Sequence, residues 1–412
     1  MTRVLIIGYV WPEPDSSAAG SRMLQLIQLF RKQGWQVTFA SPAVESEQGA
    51  DLHSRGVEKV GIRLNSSCFD SFVRQCAPDI VIFDRFMMEE QFGWRVEKNC
   101  PQALRILDTV DLHCLRDARH QALKQGRALA QHDLVSDLAL REVASILRCD
   151  LALMISAVEM TLLQERFKVA PEQLHHCRFM LPGLDQAAQR DWPDFAQRQH
   201  FITIGNFRHA PNWDAVLYLK QSLWPLIRQQ LPKAELHIYG AYPPPKAIQL
   251  HNDKQGFKLL GWARDGDAVM RSARVCLAPL RFGAGIKGKL VQAMQCGTPS
   301  VTTEIGAEAM HDDLPWSGRV ADDPQAFVDQ AVRLYQDQPL WQQCQARGVA
   351  IINQCYDQEL IGADLLERLA QLRQQLDQQR LNNFTGAMLR HHSMKSHQYM
   401  SQWIEAKNRL PE

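Results

Sequence analysis

Residues Arg281 to Thr303, R-F-G-A-G-I-K-G-K-L-V-Q-A-M-Q-C-G-T-P-S-V-T-T, decide the reading of this chain. The apolar run just before them, Val275 to Leu280, is short and flanked by polar residues, as a buried strand would be. Gly283 and Gly285 allow backbone angles that other residues resist, so the chain can turn sharply there and leave amide groups exposed. Ile286, Leu290 and Met294 then recur at helical spacing with Val291 beside them, and Gly297 and Pro299 end the helix in the expected order. A second apolar run follows. The stretch reads as strand, glycine turn, short helix, strand.

The turn delivers a helix N-terminus, which attracts anions, and it carries Lys287 and Lys289 in the first helical turn. Lysines there oppose the helix dipole, a cost that a bound diphosphate would offset. Gly283, Gly285 and Gly288 also form a literal G-x-G-x-x-G. A dinucleotide fingerprint belongs to the first strand-to-helix unit of its domain, whereas this one lies late in the chain and carries lysines where small residues are usual. The first unit, V-L-I-I-G-Y-V-W-P-E-P, has only Gly8 after its strand. The dehydrogenase reading is therefore set aside; the plain alternative is a tight turn with solvated lysines.

A chain of 412 residues exceeds one ordinary core and predicts two domains. With 45% apolar and 22% charged residues and a formal net charge of +1, it has the composition of a soluble globular protein and no bulk charge for nucleic acid. Ten cysteines without a C-x-x-C pair predict reduced, structural thiols and a cytoplasmic setting. The N-terminal apolar run, ended by Trp11-Pro12, is too short for a secretory signal, and no stretch approaches membrane-spanning length.

Strands alternate with helices along most of the chain. Val4 to Val10 is a near-continuous apolar strand, a helix near Ala18 to Gln33 ends at Gly34, and Gln36 to Ala40, Ile80 to Phe83 and Leu104 to Leu107 are strand-like. A long helix near Asp133 to Arg148 leads into Leu151 to Ile155. Unbroken apolar runs mean strands buried on both faces, hence a parallel sheet covered by helices. Asp185 to Gln199 reads as a linker. The pattern restarts with strand Phe201 to Ile204, helix Trp213 to Leu231, strands Leu236 to Tyr239 and Phe257 to Leu260, and helix Asp267 to Ala273. The fold expected is α/β, with two Rossmann-like doubly wound parallel-sheet domains facing a central cleft, and C-terminal helices. The domains expected are 1–185 and 199–340; 341–380 forms helices packing back on the body, and 381–412 a loosely held tail. Leu365, Leu369, Leu372 and Leu376 make a heptad-like stripe for that docking, a coiled-coil partner being the alternative.

The order of motifs resembles the group 1 (family four) glycosyltransferases. The pieces are F-I-T-I-G-N-F-R-H-A-P-N-W-D-A from Phe201, E-L-H-I-Y-G, F-K-L-L-G-W, and the glycine turn continued through E-I-G-A-E-A-M. In the first half S-S-A-A-G-S-R-M, L-D-T-V-D-L-H-C-L-R-D-A-R and C-D-L-A-L-M-I-S-A-V-E fit the same series. The resemblance implies the GT-B fold, with the first domain on the acceptor side and the second binding the nucleotide sugar. It also implies transfer of a sugar from a nucleoside-diphosphate donor to an acceptor hydroxyl, with no essential metal and no required cofactor. Retention of anomeric configuration and a role in bacterial surface glycan synthesis follow by analogy. The partners implied are the nucleotide sugar and a glycan, lipid-linked glycan or protein acceptor, with peripheral contact at the inner membrane face.

The resemblance also assigns residues. Lys287, Lys289 and the amides of Gly285 and Ile286 would neutralise the leaving diphosphate, and Gly20, preceding the first helix, would offer amides from the opposite domain. Gly261 and Trp262 would meet the base. His113 would face the donor sugar, in competition with a surface stripe shared with Arg116 and His120, and Asp111 would cap the helix or assist. Glu308 would reach the sugar or acceptor. Arg208 and His209, after the strand ending at Gly205, would line the cleft. Many members carry two glutamates eight residues apart around the glycine turn; the corresponding positions are Ala284 and Gln292, and Gln292 can still hydrogen-bond ribose without charge. The usual Arg and Lys after the second domain's first strand are missing, with Asn206 and Asn212 nearby. These departures leave two other readings: a nucleotide-sugar epimerase or hydrolase of the same fold, and a non-catalytic glycan-assembly protein. No G-x-S-x-G elbow, H-E-x-x-H or G-x-x-x-x-G-K-[ST] supports another chemistry.

Overall fold

A computed structural model describes residues 1–409 and shows two parallel sheets in sequence. The first is built from β1 (Arg3–Ile7), β2 (Gln36–Ser41), β3 (Glu58–Gly61), β4 (Ile80–Asp84), β5 (Leu104–Asp108), β6 (Leu151–Met154) and β7 (Leu174–His176). They lie in the order β3-β2-β1-β4-β5-β6-β7. The second comprises β8 (Gln199–Ile204), β9 (Leu236–Tyr239), β10 (Phe257–Gly261), β11 (Ala273–Ala278), β12 (Ser300–Thr302) and β13 (Gly318–Val320), in the order β10-β9-β8-β11-β12-β13. Val4 to Ile7, β4 and β5 are buried on both faces, as their unbroken apolar sequences require.

Strand order reverses between β1 and β4 and again between β8 and β11, so each sheet opens a crevice at its carboxyl edge there. The loops after β8 and β11 carry His209 and the glycine turn, which brings two distant sequence segments to one place.

The long helix expected from Asp133 begins later. Ser136 caps Asp137–Arg148 with its hydroxyl on the Ala139 amide, and Gln131–Leu134 is a separate 3-10 turn. The helix expected from Trp213 to Leu231 begins at Ala210. Its middle widens into a π turn at Leu219–Leu223, two residues before Pro225, which has no amide to give to the preceding turn. The linker is docked on the second domain: Arg198 is fully buried and donates to Thr298 Oγ1 at 2.7 Å and the Cys296 carbonyl at 2.9 Å.

After the second sheet the chain returns to the first domain, where Leu181 and Tyr356–Gln358 exchange backbone hydrogen bonds of 2.8 and 3.0 Å. Leu365, Leu369, Leu372 and Leu376 are buried in the first domain's core. The segment from Leu381 was expected to be loose, yet Phe384–Arg409 is a 26-residue helix lying against Phe86–Asn99 and Asp137–Arg148. It buries only Gly386, Met394 and Ser401 and leaves no apolar stripe to read. Polar contacts hold it instead. Arg148 donates to Ser393 at 2.9 Å, Arg95 to Ser401 at 3.3 Å, and Glu405 accepts from Ser67 at 2.6 and 2.9 Å. Residues 410–412 of the expected tail lie outside the described residues. No described helix is long and apolar enough to cross a membrane.

Candidate active site in the interdomain cleft

The glycine turn is held from both sides. Thr302 and Thr303 hydroxyls donate to the carbonyls of Ala278 and Leu280 at 2.8 and 2.6 Å, fixing the end of β11. Gly285 takes a φ of +64° that a side chain would resist, and a Cβ there would lie 2.8 Å from Asp111 Cβ in the other domain. Helix Gly288–Gln295 starts immediately after, with Lys287 as its first flanking residue. Lys287 is buried, donates to the Gly285 carbonyl at 2.8 Å, and has its pKa pushed down by burial. Lys289 is half-buried, and burial lowers it to about 8.

Opposite stands the loop Thr109–Leu112. Val110 adopts a φ of +64°, and Asp111 N donates back to the Thr109 carbonyl at 2.8 Å across a three-residue turn. A β-branched residue in that conformation is strained, and such strain is retained where the surroundings dictate it. His113 opens the next helix, His113–Lys124, and meets the Phe86 ring edge-on at 5.6 Å. Asp111 does not cap this helix. It pairs with Arg116 in a short contact and lies 3.5 Å from His113 Nε2. Burial opposes its charge, but Arg116 and His113 win and hold it near 2. Burial also lowers His113 to about 4, so its imidazole is neutral at neutral pH.

The helix start is capped by acids that sequence reasoning missed. Glu142 accepts from the His113 and Cys114 amides at 3.0 and 2.8 Å, and burial raises its carboxyl to about 7. Glu159 accepts from Leu112 N at 3.2 Å and, across the cleft, from Gly285 N at 2.7 Å. Burial, then the neighbouring Asp111, push Glu159 upwards. Arg119 forks onto Glu308 at 2.7 and 2.8 Å and also donates to the Gly283 carbonyl at 2.8 Å. Beside it His120 stacks on Phe282 with ring centres 4.1 Å apart.

The remaining expected residues are distributed as follows. Gly20 lies within helix Ala18–Lys32 rather than before it, its amide donating to Ser17 Oγ at 3.1 Å. Its lack of a side chain serves packing, since a Cβ would meet the Glu13 backbone at 2.5 Å. Gly205 is similarly close-packed, since a Cβ there would meet Asn212 Nδ2 at 2.6 Å. His209 is in electrostatic reach of Asp111, Arg116 and Lys289. Arg208 lies outward, its guanidinium 3.6 Å from the centre of the Tyr242 ring, while Tyr242 hydrogen-bonds Glu13 of the first domain. Gly261 ends β10 with a φ of +76°, and the half-exposed Trp262 indole donates to the Asp15 carbonyl at 3.2 Å. The Ile286 side chain is buried in an apolar cluster behind the turn. Gln292 binds Asp267 at 2.8 Å, so a carboxylate accompanies the glutamine after all.

Residues 198–337, nearly the whole second domain, match the family profile described as Glycosyl transferases group 1. No curated protein sequence matches the chain. Among solved structures, sucrose-phosphate synthase from Thermosynechococcus elongatus superposes with a TM-score of 0.67 at 15% identity, over 90% of this chain and 99% of that one. Anabaena HepE, solved in complex with UDP-glucose, gives 0.65 at 13% identity over 90% and 100% of the two chains. WaaG, a glycosyltransferase involved in lipopolysaccharide biosynthesis, gives 0.61 at 12% identity over 88% and 98%. At such identities the likeness is one of fold. The architecture is GT-B, and the second domain matches the profile of the group 1 glycosyltransferases.

Proposed function

We propose that the protein transfers a glycosyl group from a nucleoside-diphosphate sugar to an acceptor hydroxyl, with retention of configuration. The observation that carries this is the position of Lys287 and Lys289 at a helix start beside the crevice between β8 and β11, with Lys287 in electrostatic reach of Asp111 and Lys289 of His209. Lysines whose pKa values are lowered by burial are poised to gain an anionic partner, and a departing diphosphate is such a partner. As the bond from the sugar's anomeric carbon to the diphosphate oxygen breaks, the acceptor oxygen bonds to that carbon on the same face. The acceptor's proton passes to the phosphate oxygen that leaves. The lysines stabilise the charge that develops there. Neutral His113 hydrogen-bonds a sugar hydroxyl, Trp262 stacks near the base, and Gln292 with Asp267 holds the ribose.

HepE is described with UDP-glucose and TarM with UDP and α-GlcNAc-glycerol, which supports UDP as the first nucleotide to try and a glycan as acceptor. WaaG's part in lipopolysaccharide biosynthesis supports a surface-glycan setting at the inner membrane face. A thermal-shift screen against UDP, GDP, ADP, CMP and dTDP tests the reading. A ligand at one hundred times its dissociation constant adds about 2.7 kcal/mol of stability. One nucleotide is expected to stabilise the protein, and replacing Lys287 and Lys289 together by alanine is expected to abolish the shift. No shift with any nucleotide would overturn the proposal.

A further inference from the structure

Glu159 is completely buried in the first turn of helix Ala157–Glu165. Its Oε1 takes two backbone amides, Leu112 N from its own domain and Gly285 N from the other. Its Oε2 is equally buried and has no hydrogen-bond partner among the described residues. Buried polar atoms are almost always partnered, and an acceptor left without a donor is costly. An oxygen kept in that condition between the glycine turn and the His113 loop is one the fold holds for something that arrives.

The chemistry of the surroundings selects what arrives. Asp111 stands beside Glu159 and already disfavours its charge, so a phosphate, which would add a third anion, does not belong on this side of the turn. Lys287 donates to the Gly285 carbonyl and stands within electrostatic reach of Glu308 and Glu159, so the positive charge on this side is already matched by acids. A hydroxyl fits Oε2: it is neutral, and the proton it donates offsets both the burial and the Asp111 repulsion. The turn itself supplies no such acceptor, because Ala284 has no polar side chain.

We propose that Glu159 reads the donor sugar, its Oε2 accepting a hydrogen bond from a hydroxyl of the transferred glycosyl group while Oε1 holds the two domains in register around it. The inference rests on the glycosyl-transfer reading and adds a specificity-determining residue from the first domain. The lysines then take the diphosphate and Glu159 the sugar, so removing Oε2 separates the two.

Glu159→Gln keeps the oxygen that accepts both amides and puts an amide nitrogen, which cannot accept, in place of Oε2. Calorimetric titration of matched pairs (UDP and UDP-glucose, GDP and GDP-mannose, ADP and ADP-glucose) reads the outcome on the pair that the wild-type protein binds. The nucleotide sugar is expected to bind at least tenfold more weakly to the variant, and the bare nucleotide within twofold of wild type. The unchanged bare-nucleotide affinity also shows that the variant is folded. Equal loss of both ligands, or loss of neither, overturns the inference and leaves glycosyl transfer standing. Wild-type protein that binds none of the pairs overturns glycosyl transfer and this inference with it.

Discussion

Arg119 of the first domain grips Glu308 of the second through two hydrogen bonds, at 2.7 and 2.8 Å, and reaches on to the carbonyl of Gly283. Burial alone would raise the Glu308 carboxyl, but the Arg119 hydrogen bonds and charge hold it below its ordinary value. A planar fork of this kind fixes orientation as well as distance. It therefore ties the helix that begins at His113 to the glycine turn.

Arg119→Met keeps the stem and removes the fork. The pair joins two domains and lies within the core of neither, so each domain should stay folded. Turnover is expected to fall at least tenfold, because the glycine turn and His113 are no longer held in mutual register. Small-angle scattering should show a larger radius of gyration in the unliganded variant. Wild-type turnover in the variant would remove Arg119 from the closing machinery.

The lysines make donor affinity depend on pH. Burial holds Lys289 near 8 in the free protein and lowers Lys287, whereas a bound diphosphate favours the charged form of each. Affinity is thus fully present below about pH 8 and lost as pH rises through that value. Isothermal titration of UDP-glucose from pH 7 to 9 should show a fall of roughly tenfold for each lysine that loses its proton over that range. His113, lowered to about 4, should impose no acid limb near 6.5. An acid limb there would mean that the imidazole works as a cation.

The parallel sheets and the glycine turn could be read in advance because their signals are local: unbroken apolar runs for strands, two glycines and a capped apolar stripe for the turn and helix. The acids of the site could not. Glu159 follows Ser156 in the pattern S-A-V-E, which reads as an ordinary capping box. Its amide does donate to the Ser156 hydroxyl, but its carboxylate goes to Leu112 and Gly285 instead. Glu142 sits among Ala139, Val143 and Ile146 on the buried face of its helix, and an acid inside an apolar stripe was the available sign. The motif residues Arg22 and Asp108 turn out to be a buried ion pair at 2.9 Å joining the first helix to β5, so part of the recurring pattern builds the scaffold and not the chemistry. Helix Phe384–Arg409 escaped detection because serine hydroxyls and buried arginines on other elements hold it, and neither leaves a periodic apolar trace.

Gly288 separates the closing of the cleft from the stability of the domains. A Cβ at this position would stand 2.3 Å from the Cβ of Ala18 at the start of the first domain's leading helix. Carbon atoms in contact rest at about 3.5–4.0 Å, so the two helix starts would have to part by more than an ångström. Within its own helix the change is favourable, since alanine is the better helix former, by about 1 kcal/mol in a helix interior and less at its first residue. Gly288→Ala should therefore melt no lower than the wild-type protein while its turnover falls at least tenfold. Its radius of gyration, unlike that of the wild type, should fail to contract when the donor is added. Lower melting with an unchanged radius would place the crowding inside the second domain. Full turnover would show that the reaction does not need the two helix starts to meet.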